Sequence, residues 1–123
     1  MSEEVQKLVY VAHDGGDKAE KVLTLFALAN IGVSMESDVT VILFGEATRL
    51  AYKGYGKTVA SLDRLPMDRL MSDFLENGGK VMICLPCIKS RQVDPSMLVE
   101  GVVPTTGTVV NDAILEADKV IGW

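Results

Sequence analysis

The chain is short of the residues that most often announce a function. It has one histidine, two cysteines and one tryptophan, and aromatic side chains make up 6% of it. One histidine and a single pair of cysteines fall short of the roughly four ligands that a zinc site takes, so no metal and no organic cofactor is expected. With so few aromatics, aliphatic side chains must fill the core. A basic excess is missing as well: 12 Lys and Arg stand against 17 Asp and Glu, a formal net charge of −5. Phosphate backbones attract basic patches, and no Lys/Arg cluster offsets the acidic balance here, so nucleic acid is not an expected partner. No apolar run approaches the ~20 residues that span a bilayer, so no membrane association is expected. The opening MSEEVQK has neither the basic nor the apolar region of a signal peptide, which predicts a cytoplasmic protein. In that compartment disulfides are transient or catalytic rather than structural.

What is present is a regular alternation of patterns. Hydrophobic residues make up 48% of the 123, enough for one domain, residues 1–123, with a sizeable core. Residues 7–12, KLVYVA, read as a first strand, followed by the turn His13-Asp14-Gly15-Gly16. Asp17 with Glu20 suggests a helix N-cap and its capping-box partner. Val22, Leu25, Phe26, Leu28 and Ala29 carry a helix to about residue 31, with Gly32 placed to end it. Residues 38–44, DVTVILF, are almost continuously apolar, as in a parallel strand covered on both faces. A short helix over 46–51 and an irregular, mobile arm over 52–65 follow. The arm's Tyr52 and Tyr55 suit packing against a neighbouring subunit. Pro66 opens a helix striped by Met67, Leu70, Met71, Phe74 and Leu75. Residues 80–85 make a third strand and 101–103 a fourth. A helix over 107–117 and a strand over 118–122 close the chain. Strands alternating with helices predict an α/β fold, a five-stranded parallel sheet with helices on both faces.

The chemistry concentrates in VMICLPCIKSR, residues 81–91. It holds both cysteines, Cys84 and Cys87, as C-x-x-C at the end of the third strand. A thiol reacts as its thiolate, which cations and a second sulfur favour. Lys89 and Arg91 follow at once and would stabilise a thiolate or bind an anionic sulfur donor such as thiosulfate. The plain alternative is two solvated surface cations. The cysteines have a plain reading of their own, as small buried hydrophobes. In a 2-1-3-4-5 strand order, ligands would sit between the ends of strands one and three. His13 would then share a crevice with Cys84 and help to deprotonate it, its unperturbed pKa lying near neutrality. Alternatively it is a polar loop residue. A thioredoxin-like role fits less well, because that motif opens a helix after the first strand. Gly54-x-Gly56-Lys57 lacks the spacing of a phosphate loop.

Five segments, LVYVAHDGGDKAEKV, VTVILFGEATRLAYKG, VMICLPCIKSR, LVEGVV and ADKVIGW, together resemble the DsrE-like family of sulfur-relay proteins with the YchN-like fold. The resemblance spans nearly the whole chain. It implies a persulfide-carrying cysteine at the end of the third strand, which by position is Cys84, and transfer of that sulfur to a partner. It further implies a homo-oligomer, a trimer or hexamer, with sulfur donor and acceptor proteins as partners. Cys87 departs from the family pattern. It leaves open a dithiol/disulfide cycle, or a nucleophile at the second position. A non-catalytic assembly or regulatory subunit of the same fold is the reading from a different class.

Overall fold

The computed structural model describes residues 5–123; the first four residues of the N-terminal segment considered above lie outside the described residues. Five strands, β1 (Lys7–Ala12), β2 (Asp38–Leu43), β3 (Lys80–Cys84), β4 (Val103–Thr105) and β5 (Lys119–Gly122), form one parallel sheet. The helices are α1 (Ala19–Ser34), α2 (Met67–Glu76), α3 (Leu85–Ser90) and α4 (Gly107–Glu116). The expected α/β architecture, a five-stranded parallel sheet with helices on both faces, is present. No helix among the described residues is long and apolar enough to cross a membrane.

The strand order is β4-β3-β2-β1-β5, not the 2-1-3-4-5 expected from the sequence. The central place goes to β2. Its five residues Val39–Leu43 are all buried, which requires neighbours on both edges as well as cover on both faces. The edges fall to β4, whose Pro104 offers no N–H to a further strand, and to β5, which is short and largely exposed. From β1 to β4 the chain advances one strand at a time, then returns across the whole sheet to β5.

Right-handed crossovers turn that order into two unequal faces. The steps β1→β2 and β2→β3 run the same way, so α1 and α2 lie together on one side and pack on each other. Val22, Leu23, Phe26 and Ala29 of α1 meet Leu70, Met71 and Phe74 of α2 over Tyr10, Val41 and Ile83 of the sheet. The Phe26 and Phe74 rings meet edge to face at 5.9 Å. The return from β4 to β5 runs the other way and puts α4 alone on the opposite side. There Val110 packs on Val9 and Ile42, with Phe44, Met82 and Ile114 half-buried around them.

Several local expectations shift. Asp17 makes no side-chain cap: a 3-10 turn over Gly16–Lys18 precedes α1, and the helix runs through Gly32 to Ser34. The fourth strand lies at Val103–Thr105, later than expected, after Gly101 turns with φ +98°. Residues 52–65 are anchored to their own chain. Tyr52 bridges to Leu98, the Tyr55 hydroxyl accepts the Gly16 N–H at 3.1 Å, and Arg64 donates to Thr24 Oγ1 at 2.8 Å.

Candidate functional site

The C-terminal edge of the sheet carries every residue singled out for chemistry, and the strand order sorts them. His13 follows β1, Phe44 and Gly45 follow β2, and Cys84 ends β3. Because β2 stands between β1 and β3, His13 and Cys84 do not share an inter-strand crevice. The order reverses at β1 and β5, two strands from Cys84. The thiol therefore lies away from the point where ligands of open α/β sheets usually bind.

Cys84 is both the last residue of β3 and the N-cap of α3, and its Sγ accepts the Cys87 N–H at 3.3 Å. The cap is possible because Pro86 sits in the first turn, where a missing N–H costs nothing and a fixed φ suits the helix. The fully buried Ile88 holds the short helix on the core. Gln92, with φ +56°, turns the chain away after α3. One further donor reaches the pair: the Gly45 N–H points at Cys87 Sγ, 3.4 Å away. Gly45 has φ +53°, a conformation that favours glycine, and this left-handed turn off β2 presents its amide to the sulfur. Both thiols are free and half-buried.

Burial pushes the Cys84 thiol above the ordinary thiol range, and its hydrogen bond with the Cys87 side chain pushes the same way. The Cys87 backbone N–H and the Arg91 guanidinium pull the other way, with less effect. Arg91 is held at a distance. Its Nη1 donates to the Cys87 carbonyl at 3.4 Å and its Nη2 lies 3.7 Å from Glu46 Oε1. Glu46 also pairs with Arg49. Lys89 is exposed. The His13 ring is exposed and stacks on Phe44, with centroids 5.4 Å apart and planes 16° apart.

Phe44 is the element that sequence reasoning missed. Its other surroundings include a cleft of about 310 Å³ between the sheet edge and α4, and Cys84 lines the same cleft. Phe44, Pro86, Val110 and Ile114 supply its carbon surface, and Thr105 and Asn111 its polar side chains. The α4 wall carried no signal in the sequence beyond an apolar helix stripe. Gly45 did carry one: a glycine directly after an almost continuously apolar strand marks a turn, and here it takes the left-handed conformation that favours glycine. Among the described residues, no group of three or more His, Cys, Asp or Glu stands close enough to hold a metal ion.

Set beside known proteins, the chain matches the DsrE/DsrF-like family over residues 6–123 and belongs to that family. Its fold is that of the ychN protein from E. coli, with a TM-score of 0.83 at 21% identity over 97% of this chain and 100% of that one. A protein of unknown function from Methanobacterium thermoautotrophicum aligns with a TM-score of 0.68 at 14% identity, covering 98% of this chain and 100% of that one. A conserved protein of unknown function from Bacteroides thetaiotaomicron aligns with a TM-score of 0.67 at 15% identity, covering 96% and 95%. No curated protein matches the sequence.

Proposed function

We propose that this member of the DsrE/DsrF-like family is a cytoplasmic sulfur carrier, which accepts sulfane sulfur as a persulfide on Cys84 and passes it to a partner protein. The observation that carries the reading is the position of Cys84. Its sulfur ends the third strand, opens onto a cleft, and has a second thiol one helical turn away. In transfer, a partner thiolate attacks the outer sulfur and Cys84 leaves as its thiolate. Cys87 offers a second outlet, in which its thiolate attacks the Cys84 sulfur, the outer sulfur leaves as hydrosulfide, and the Cys84–Cys87 disulfide is reopened by a thiol reductant. Arg91 supplies the positive charge nearest in effect to Cys84. His13 contributes by stacking on Phe44, the cleft wall. The exposed apolar side chains of α4, Val109 and Leu115, suit a homo-oligomer.

Intact-mass analysis after incubation with persulfide donors tests the assignment. The wild-type protein should gain mass in steps of one sulfur, and Cys84→Ser should gain none. If Cys84→Ser loads as fully as wild type, or if no donor loads the wild type, the reading is wrong.

A second reading, a dithiol/disulfide redox protein, is favoured by the hydrogen bonds that tie the two thiols together. It expects a reversible Cys84–Cys87 disulfide with no sulfur gained, which the same mass measurement under oxidising and reducing conditions distinguishes.

A further inference from the structure

The two sulfurs face different surroundings. Cys87 Sγ sits beneath the Gly45 amide, on the side where Arg91, Glu46 and Arg49 gather. Cys84 faces the cleft under α4, and none of the residues lining that cleft is charged. A small dianion such as thiosulfate would find no cation there, and Arg91 is already engaged by Glu46 and a carbonyl. The cleft offers carbon instead. A volume of about 310 Å³ lies at the lower end of small-molecule sites, which begin near ~300 Å³. Its origin is topological: α4 crosses the sheet alone, and no second helix fills the space beside it at the C-terminal edge.

We propose that this cleft binds the organic group of a low-molecular-weight hydropersulfide, R–S–SH with an apolar or aromatic R, and presents its terminal sulfur to Cys84. The inference rests on the persulfide reading and names its donor. Hydropersulfides are stronger acids than thiols, so the donor arrives as R–S–S⁻ while Cys84 keeps its proton. The reacting state is the less populated one, with the proton on the donor and Cys84 as its thiolate; it is reached uphill, because the perthiolate is the weaker base. The thiolate attacks the terminal sulfur. A new S–S bond forms on Cys84, the donor's S–S bond breaks, and its electron pair leaves as R–S⁻. The products are Cys84–S–SH and R–S⁻; one sulfane sulfur has moved and no oxidant or reductant is consumed.

The test compares loading rates of Cys84 by benzyl hydropersulfide, inorganic disulfide and thiosulfate, read by intact mass. The benzyl donor should load at least about tenfold faster than either inorganic donor, the scale of discrimination that a hydrophobic pocket supplies. Asn111→Trp on the exposed face of α4, where it borders the cleft, should bring the ratio of benzyl to inorganic rates close to one. Gly107→Leu is the second variant. Gly107 lines the cleft, and a Cβ there meets no atom within 4 Å, so a larger side chain starts into open space at the cleft. Equal rates for all three donors in wild type, or a ratio untouched by both variants, would overturn the cleft assignment while leaving the carrier reading intact. Failure of every donor to load the wild type would instead sink the carrier reading itself.

Discussion

On one face of the sheet α1 and α2 lie side by side, and Leu23, Phe26, Met71 and Phe74 have at most 1% of their surface exposed. On the other face α4 crosses alone, and Val109 and Leu115 remain 46% and 81% exposed. The difference follows from strand order. Three forward steps place their connections on the first face, and one long return leaves a single helix for the second. The helix pair of the first face is closely packed, and the second face has clefts beside α4. The Cys84 thiol belongs to the second: Met82 and Cys84 alternate with Val81 and Ile83 along β3, and the side chains that reach the two-helix core are Val81 and Ile83. The two-helix core and the proposed site thus lie on opposite sides of one strand.

The sharpest way to break this comparison is to cut a side chain from each face. Phe74→Ala should lower unfolding free energy by about 3–5 kcal/mol, since the ring is fully buried against Phe26 and the cavity cannot collapse between two helices. Val110→Ala on α4 should cost only about 1–2 kcal/mol, at ~0.8 kcal/mol for each buried carbon lost. Denaturant melts of the two variants at the same pH measure both. Equal losses would mean that α4 is as firmly seated as the helix pair, and the account of unequal faces would fail.

The sequence carries the packed face much better than the open one. The stripe Met67, Leu70, Met71, Phe74 is visible as a helical period, and α2 occupies Met67–Glu76 as that period demands. The continuous apolar run of β2 also marks a central strand. The order 2-1-3-4-5 nevertheless places that run at an edge, which its burial does not allow. Pro104 and the short β5 point the same way, but they count only once the strands are arranged in space. The site divides along the same line. C-x-x-C at a strand end is legible because both residues are neighbours in the chain. The cleft is not, because Phe44, Cys84 and Asn111 come together only through the return of α4 across the sheet. The pairing of Arg91 with Glu46 depends in turn on the glycine-driven turn after β2. The packed face is written in local periodicity, whereas the open face is written in the order of strands.

A second prediction sharpens the comparison at the thiol itself. Burial on the thinly covered face is only partial, yet it is the first cause of the raised Cys84 pKa, and the Cys87 side chain is the next. A thiol raised in this way is more protonated at neutral pH than a free cysteine. Its alkylation rate should therefore keep climbing past the pH at which an ordinary thiol levels off. Cys87→Ala removes the side-chain hydrogen bond and the like-charge repulsion, both of which raise the pKa, and keeps the backbone N–H that lowers it. The titration midpoint should move down, and alkylation of Cys84 at neutral pH should become several-fold faster. A midpoint that moves up would show that the second sulfur activates the first rather than restraining it.

The smallest effect belongs to His13, and it separates the two strand orders most cleanly. Were β1 next to β3, the imidazole would stand across a crevice from Cys84 and act as its base. His13→Ala would then slow alkylation steeply and remove an inflection near neutral pH from the rate profile. With β2 in between, the ring instead rests on Phe44 and reaches the thiol only through that side chain. Its loss should leave the shape of the pH profile intact and lower the rate by no more than about twofold, as expected for an exposed residue that touches only one wall of the cleft. Stopped-flow alkylation of Cys84 in a Cys87→Ala background, with and without His13, gives the profile for a single thiol. An inflection near neutrality that disappears with His13 would bring the histidine back into the chemistry, and with it a closer approach of the first and third strand ends than β2 permits.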